Sequence, residues 1–180
     1  MKRRFIHVCE PTLRGNELKY VADCIKTNWI SSFGKYIDEF EKGFANYCGV
    51  KHGISVCNGS IAIHLALEAT GIGPGDEVIV PDFTMIASVN SILYTGAKPV
   101  LVDAEMPTWC LNPELIEEKI TPKTKAILPV HIYGHPCDME PIMELAEKYN
   151  LYVIEDAAEG HGALYKGKKA GSFGHINAFS

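Results

Sequence analysis

The sequence lacks the long hydrophobic run that a membrane helix or a secretion signal requires. Its basic start, Met1-Lys-Arg-Arg, is followed by a semi-apolar run over 5–9 only, which is too short for the core of a signal peptide. No stretch approaches the roughly 18–20 apolar residues of a membrane span. We therefore expect a protein that is located in the cytoplasm and has no membrane partner.

An excess of positive charge is also missing. The 180 residues include 17 lysines and arginines against 22 aspartates and glutamates, a net charge of −5 at pH 7, so we expect no nucleic-acid partner. Hydrophobic residues make up 47% and charged residues 22% of the chain, a composition that forms a packed core and excludes wholesale disorder. The length corresponds to one domain or to a large part of one.

Signals for metal centres and disulfides are absent as well. The six cysteines contain no CxxC pair, which argues against zinc ribbons and thioredoxin-type sites. Without a secretion signal we interpret them as buried thiols. His131, His135 and Cys137 lie within seven residues of each other, but three ligands in this spacing do not form a familiar metal motif. We predict no metal site.

Helical and strand patterns alternate along the chain. Apolar residues at helical spacing predict helices, and short apolar runs predict strands. The predicted helices cover 16–27, 36–47, 60–70, 84–94 and 139–149, with another that opens at 112–114. The predicted strands cover 52–57, 77–80, 98–103, 125–130, 151–156 and 176–180. This alternation indicates an α/β fold with a largely parallel sheet and helices on both faces, whose ligands bind at the carboxyl ends of the strands.

Three short segments lie at such predicted strand ends. Gly59 and Ser60 join a strand to a helix, where free amides and the helix dipole attract an anion such as phosphate, although a helix cap with a tight turn has the same pattern. Phe83 follows a strand and fits either a planar cofactor or the core. Asp156 ends an apolar strand, and its carboxylate fits a cation partner, a metal ligand or a general base.

The familiar nucleotide-binding and hydrolase motifs fail. The glycines over 71–75 have the wrong spacing for GxGxxG and precede a strand. Residues 162–169 match a P-loop up to Lys169, which replaces the Ser or Thr that would hold magnesium, and no helix pattern follows. GxSxG and HExxH do not occur in the sequence. These failures argue against a generic doubly wound nucleotide-binding domain.

Five blocks of the sequence, taken in order, resemble the DegT/DnrJ/EryC1/StrS family of sugar aminotransferases. The blocks cover 28–52, 55–105, 120–142, 153–174 and 177–180, and they include SVCNGS, VIEDAAEGHG and the final NAFS. Members of this family are pyridoxal-phosphate (PLP) enzymes with the aspartate-aminotransferase fold, also called fold type I. Within the family, the sequence is most similar to enzymes that make perosamine-type amino sugars. The resemblance implies a three-layer α/β large domain with a mostly parallel sheet.

The resemblance assigns cofactor roles to the residues singled out above. Gly59 and Ser60 would bind the PLP phosphate, with Ser180 of the family's Phe-Ser pair as a second hydroxyl. Phe83 would stack on the pyridine ring. Asp156 would pair with the ring nitrogen, because an ionised carboxylate keeps that nitrogen protonated and lets the pyridinium act as an electron sink.

Two further assignments come from the resemblance alone. Glu159 would lie near the phenolic oxygen of the ring. Trp29, Ser31 and Ser32 fall in a segment that lies near the sugar-nucleotide substrate in similar proteins. The resemblance therefore places part of the substrate site in the segment before the second predicted helix.

The resemblance also predicts what the chain does not contain. In the family, the Schiff-base lysine follows the Phe-Ser pair a few residues later, whereas this sequence ends at Ser180. We therefore expect residues 1–180 to be the N-terminal part of the large domain, incomplete at its C-terminal end and without the smaller C-terminal domain. Such a chain would hold PLP non-covalently, and we expect no catalytic lysine within it and no turnover by the chain alone.

The function implied by the resemblance is PLP-dependent transfer of an amino group from glutamate to a nucleotide-linked 4-keto-6-deoxy sugar. The product would be an amino sugar for surface polysaccharide such as O-antigen, and relatives act as homodimers. Two alternatives stay open at this point. One is a PLP-dependent sugar dehydratase of the same superfamily, in which a histidine replaces the lysine. The other is a non-catalytic remnant or a regulatory binding protein.

Overall fold

The computed structural model describes residues 5–7 and 10–180. The helices of this part of the chain are α1 (Glu17–Thr27), α2 (Lys35–Cys48), α3 (Gly59–Ala69), α4 (Ile86–Tyr94) and α5 (Met139–Tyr149). The strands are β1 (Glu77–Pro81), β2 (Lys98–Val102), β3 (Thr124–Ile127), β4 (Tyr152–Asp156), β5 (Leu164–Tyr165), β6 (Lys168–Lys169) and β7 (Ile176–Ala178). Short 3-10 turns occur at Pro113–Leu115, Glu117–Lys119 and Ile132–Gly134.

Five strands form one sheet in the order β2-β1-β3-β4-β7. Every neighbouring pair is parallel, which confirms the predicted parallel sheet. The carboxyl ends of its strands therefore lie along one edge. Phe83 follows β1 at this edge, Asp156 is the last residue of β4, and Ser180 comes two residues after β7.

The core lies on both faces of the sheet. β1 is buried at all five positions, and because successive side chains of a strand point to opposite faces, both faces must be covered. Leu67 of α3, Ile92 of α4 and Ile142 of α5 belong to the same buried cluster as Val78 and Ile79 of β1. Within the residues that the structure describes, no helix combines the length and the apolar character that crossing a bilayer requires.

The strand predicted over 52–57 does not form. A strand needs a neighbour that accepts its backbone hydrogen bonds, and here the Ser55 N–H donates instead to the Glu41 carboxylate at 2.8 Å, which also accepts from the Ser55 hydroxyl at 2.9 Å. Ile54 is 76% exposed. The β-branched residues of the segment therefore lie on the surface of an extended stretch.

The prediction of an α-helix that opens at 112–114 is also wrong, because the segment forms 3-10 turns. Asn112 caps it as expected, because its side-chain oxygen accepts the Glu114 N–H at 3.0 Å. Two 3-10 turns follow instead of an α-helix, and the chain is extended by Ile120. Pro122 keeps the helix from resuming, since proline disfavours the helical conformation in the residue before it, which is Thr121.

Glu155 holds the segment that leads into β7. Its carboxylate is fully buried and accepts hydrogen bonds from His131 Nε2 at 2.8 Å and from the N–H groups of Gly171, Phe173 and Gly174 at 2.7, 2.6 and 2.5 Å. Burial alone would raise the pKa of Glu155, but the bonds from His131 and Gly174 outweigh it and hold the pKa below its ordinary value. The loop before β7, and with it the direction of the chain toward Ser180, is thus fixed by one buried charge.

Glu155→Gln removes this charge and turns an amide group toward hydrogen-bond donors, so buried N–H groups lose their acceptor. We expect the free energy of unfolding to fall by about 3 kcal/mol, measured by urea denaturation at pH 7. Glu118→Gln is the control, because Glu118 forms its 3.0 Å ion pair with Lys119 on the surface. It should change the free energy of unfolding by less than about 0.5 kcal/mol.

The same pair of variants tests the direction of the pKa shift. A carboxylate whose pKa is lowered by folding stabilises the fold above its unfolded pKa of about 4.3, and this contribution is lost as the pH falls through the folded-state value. Below about pH 4 the wild-type protein should therefore lose stability more steeply than Glu155→Gln. Equal slopes in the two proteins would contradict the lowered pKa.

Candidate active site

The first turn of α3 lies at the carboxyl edge of the sheet. Asn58 caps the helix, because its side-chain oxygen accepts the Ile61 N–H at 3.0 Å. Gly59 and Ser60 follow it as the first two helical residues, and N–H groups at these positions have no partner within a helix. The segment is therefore a capped turn that still offers two amides and the Ser60 hydroxyl to an anion.

Gly59 lies directly against the end of the described chain. A Cβ atom added to Gly59 would lie 2.7 Å from Ser180 Cβ and 3.1 Å from Ser180 Oγ, and only glycine permits this approach. The fold thus brings together Gly59, Ser60 and Ser180, the three residues predicted to bind phosphate, although Ser180 lies 120 positions after Ser60 in the sequence.

Asp156 is a buried carboxylate at the same edge, and 5% of the residue is exposed. Its Oδ2 accepts a hydrogen bond from Ser88 Oγ at 2.7 Å, and its Oδ1 accepts the Ala158 N–H at 3.1 Å. Burial raises the pKa of Asp156, and these two bonds offset only part of the rise. Among residues 5–7 and 10–180, no Lys, Arg or His forms a salt bridge with it. A positively charged partner would therefore stabilise the ionised form.

Phe83 is not a core residue. Its side chain is 40% exposed and lies beside two other aromatic rings, with centroids 5.5 Å away for Trp109 and 6.3 Å away for Tyr133. Both neighbours have positive φ angles, 62° and 50°, a conformation that is uncommon for aromatic residues. The sequence left two roles open for Phe83, in the core or beside a planar cofactor. The structure argues against the core, because the Phe83 ring is partly exposed at the edge of the site.

Glu159 and the 29–32 segment lie in two different parts of the structure: Glu159 beside the turn after β3, and the segment between α1 and α2. The exposed side chain of Glu159 accepts the Tyr133 N–H at 2.5 Å, which ties it to the turn after β3. Trp29, Ser31 and Ser32 lie in the exposed connection between α1 and α2. No hydrogen bond or ring contact of the described residues joins this segment to Phe83, Asp156 or the start of α3. The structure brings the predicted cofactor residues to one edge and leaves the predicted substrate residues apart from them.

The His131, His135 and Cys137 side chains are engaged within the protein, His135 through a 3.0 Å contact of its Nδ1 with the Pro136 carbonyl. The Cys137 N–H donates to His131 Nδ1 at 3.1 Å, which places the ring proton on Nε2, toward Glu155. The Cys137 thiol donates to the Val130 carbonyl at 3.1 Å. Within the described residues, no group of three or more His, Cys, Asp or Glu side chains is arranged to hold a metal ion.

Sequence reasoning missed the residues that connect these parts. Ser88 and Ser91 of α4 are completely buried. Ser88 donates to Asp156, and Ser91 donates to the Ser60 carbonyl at 2.9 Å. A serine pair at i and i+3 on an apolar helix is the only signal that the sequence offered, because the acceptors lie far away along the chain.

Comparison with known proteins identifies the family. The profile of the DegT/DnrJ/EryC1/StrS aminotransferase family matches residues 11–180. The chain belongs to this family. The resemblance noted in the sequence is thereby confirmed.

Similar proteins support the DegT/DnrJ/EryC1/StrS assignment at the level of sequence and fold. A GDP-perosamine synthase from Caulobacter vibrioides is 60% identical over 175 residues, which are 97% of this chain and 47% of that protein. The aminotransferase from Psychrobacter cryohalolentis has a TM-score of 0.89 and 45% identity over 94% of this chain and 43% of its own. NtdA from Bacillus subtilis, solved with bound cofactor PMP, has a TM-score of 0.80 and 41% identity over 86% of this chain and 35% of its own. The predicted aminotransferase fold is confirmed.

The chain spans about half the length of the curated relatives it matches, between 47% and 49% for three GDP-perosamine synthases. The match therefore concerns the part of these proteins that corresponds to the described sheet and its flanking helices.

Gly59→Ala tests whether the close approach of Ser180 matters for anion binding. The added methyl group collides with Ser180, so the hydroxyl must move away from the start of α3. We expect the affinity for PLP to fall about tenfold, which corresponds to a modest steric strain, as measured by fluorescence titration. Gly43→Ala in α2 is the control, because a Cβ there meets nothing within 4 Å. Unchanged affinity in a folded Gly59→Ala protein would contradict the role of this contact.

Proposed function

We propose that this chain forms the cofactor-binding part of a PLP-dependent sugar aminotransferase. The complete protein would transfer an amino group from glutamate to a nucleotide-linked 4-keto-6-deoxy sugar in the cytoplasm and make a perosamine-type amino sugar for surface polysaccharide. The observation that carries the proposal is Asp156: a buried, oriented carboxylate without a cationic partner in the described chain. The names of three similar relatives, which are GDP-perosamine synthases, support the substrate class.

The phosphate end of the site fits PLP. Gly59 and Ser60 offer amides at the start of α3, where the helix dipole favours an anion. Ser180 adds a hydroxyl against the same turn. Because Asn58 already satisfies the Ile61 amide, the remaining first-turn donors are free to bind phosphate oxygens.

The ring end of the site fits as well. Phe83 presents a partly exposed ring at the sheet edge, Asp156 would pair with the protonated ring nitrogen, and Glu159 would lie near the phenolic oxygen. When bound, PLP supplies an electron sink for the carbanion that forms during amino transfer. The role of Asp156 is to hold the proton on the ring nitrogen, and its burial strengthens that ion pair because water is excluded.

The lysine that links to the cofactor is not expected among the lysines nearest to Asp156 in the sequence. Lys166 forms an ion pair with Glu140, and Lys168 lies 4.4 Å from the ring centroid of Phe173. Lys169 lies 3.4 Å from the ring centroid of Tyr47. We propose that the linking amine is supplied by a part of the protein outside these residues.

We propose the sugar-nucleotide site from the family resemblance and the homodimer from the exposed apolar side chains of α1. Trp29, Ser31 and Ser32 are exposed beside α1, in the segment assigned to the substrate by family resemblance. α1 itself has no buried residue, and its Leu18 and Ile25 are 82% and 59% exposed. Such an apolar face is available for contacts in a homodimer.

Titration with PLP tests the cofactor proposal directly. Asp156→Asn keeps the shape of the side chain but cannot form the ion pair, so we expect PLP affinity to fall by more than about 30-fold, the loss typical of a buried charge pair. Asp103→Asn is the control, because Asp103 is an exposed carboxylate just after β2. Equal affinities of the Asp156→Asn and wild-type proteins would contradict the assignment of Asp156.

A chimera tests the reaction. Joining this chain to the C-terminal part of the Caulobacter vibrioides synthase, which is 60% identical over the matched region, should give an active transaminase. With glutamate and a GDP-linked 4-keto-6-deoxy sugar, we expect an amino sugar nucleotide detectable by mass spectrometry. The Asp156→Asn chimera should lose at least about a hundredfold in rate, as expected when a major electrostatic contribution is removed. A folded chimera that binds PLP but forms no amino sugar would contradict the proposed substrate class.

A further inference from the structure

Two hydroxyl groups stand in line behind the Asp156 carboxylate. Ser88 Oγ lies 2.7 Å from Asp156 Oδ2, and Thr84 Oγ1 lies 2.9 Å from Ser88 Oγ. Ser88 is completely buried, and Thr84 is partly buried at the segment before α4. Sixty-eight residues separate Ser88 from Asp156 in the chain, so the line exists only in the folded protein.

The direction of these hydrogen bonds follows from the donors available. A hydroxyl has one proton to donate, and an ionised carboxylate can only accept. Ser88 must therefore give its proton to Asp156 when the carboxylate is charged, which leaves Ser88 Oγ as the acceptor for the Thr84 proton. Both O–H dipoles then point toward the negative charge, and each strengthens the other. If Asp156 were protonated, its own O–H could donate a hydrogen bond and would compete with the Thr84 hydroxyl for Ser88 Oγ.

We propose that Thr84 and Ser88 are positioning residues that keep Asp156 ionised and aimed at the protein's ring-binding site. The inference rests on the proposed function, because Thr84 and Ser88 have a role in binding only if Asp156 pairs with the cofactor ring. Thr84 directly follows Phe83. One short segment thus carries both the aromatic ring at the site edge and the outer hydroxyl of the line, that of Thr84, so the hydrogen bonds connect the ring's segment to the carboxylate.

Other groups also act on the charge of Asp156. The Ala158 N–H donates to Oδ1 at 3.1 Å. A positive charge on His131, from the turn after β3, would favour the ionised form, but in this structure its Nδ1 accepts the Cys137 N–H. Glu159, which follows β4, opposes the ionised form. Burial raises the pKa of Asp156 more than these donors lower it. Loss of the Ser88 hydrogen bond should therefore move the pKa further upward, because Ser88 is the α4 residue that donates to Oδ2.

The test is the pKa of Asp156 measured by carbon-13 NMR of labelled aspartate in the full 180-residue chain without cofactor. We expect Ser88→Ala to raise this pKa by about one pH unit, the equivalent of one hydrogen bond to a charged group. Thr84→Val, which keeps the side-chain shape but removes the second hydroxyl, should raise it by a smaller amount. Thr84→Ser keeps the hydroxyl and should restore the wild-type value.

Ser91→Ala is the matched control. Ser91 is equally buried and lies one turn further along α4, but its hydroxyl bonds to the carbonyls of Ser60 and Ala87. Its loss should leave the pKa of Asp156 unchanged. A merely structural effect of losing a buried hydroxyl would move both variants alike, and that result would overturn the proposal.

A folded Ser88→Ala protein with the wild-type pKa of Asp156 would also overturn it. If Ser88→Ala does not fold, the Thr84→Val and Thr84→Ser pair decides in the same way: a raised value in the first and not in the second supports the proposal, and equal values contradict it. PLP titration of the wild-type protein is a separate readout. Failure of PLP to bind would contradict the proposed function, whereas the NMR result concerns the hydroxyl line alone.

Discussion

β4 ends in two adjacent carboxylates, Glu155 and Asp156, and the burial of these two charges is the constraint that the surrounding structure has to meet. Because neighbouring residues of a strand point to opposite faces, the two groups face different environments. Glu155 has four donors, including His131, and its pKa is lowered. Asp156 has two, and its pKa is raised. The fold satisfies the first charge completely and leaves the second in need of a cation.

This difference separates a structural carboxylate from the one that we propose to bind the cofactor. The Glu155 carboxylate accepts the hydrogen bonds of the loop before β7. Removing this carboxylate would therefore free the loop that leads the chain to Ser180. The Asp156 charge remains available at the edge where Phe83 and the start of α3 also lie. A buried carboxylate with a raised pKa and, among the described residues, no cationic partner is costly to maintain, and proteins keep such groups mainly where chemistry requires them.

The sequence was sufficient for those parts of the fold that depend on local pattern. The continuous apolar run of β1 and the helical stripe of α5 predicted their elements to within one residue. The 52–57 segment failed because its β-branched residues satisfy strand propensity, whereas a strand also needs a neighbour, and Glu41 takes the Ser55 amide instead. Residues 162–169, which imitate a P-loop, form the β5–β6 hairpin. This agrees with the prediction that no helix follows them.

In the candidate site, too, some residues could be predicted from local sequence pattern and others depend on contacts across the fold. Gly59 and Asp156 could be selected from the sequence because each lies next to a helix start or a strand end, and such positions are visible in a pattern. Ser88, Trp109 and Tyr133 could not, since their relevance depends on contacts across the fold. Family resemblance grouped Ser180 with Gly59, and the absent Cβ of Gly59 gives the physical reason: the two residues touch.

α4 explains how residues from distant parts of the chain act as one site. One turn of this helix carries Ser88, which holds the β4 carboxylate, and Ser91, which holds the first turn of α3. The helix also contributes the buried Ile92 to the core, so the two hydroxyls lie on a helix that is closely packed against its surroundings. A shift of α4 would therefore move the carboxylate and the candidate anion-binding turn together. The geometry between the two ends of the site is set by the core, and not by the exposed residues that would touch a ligand.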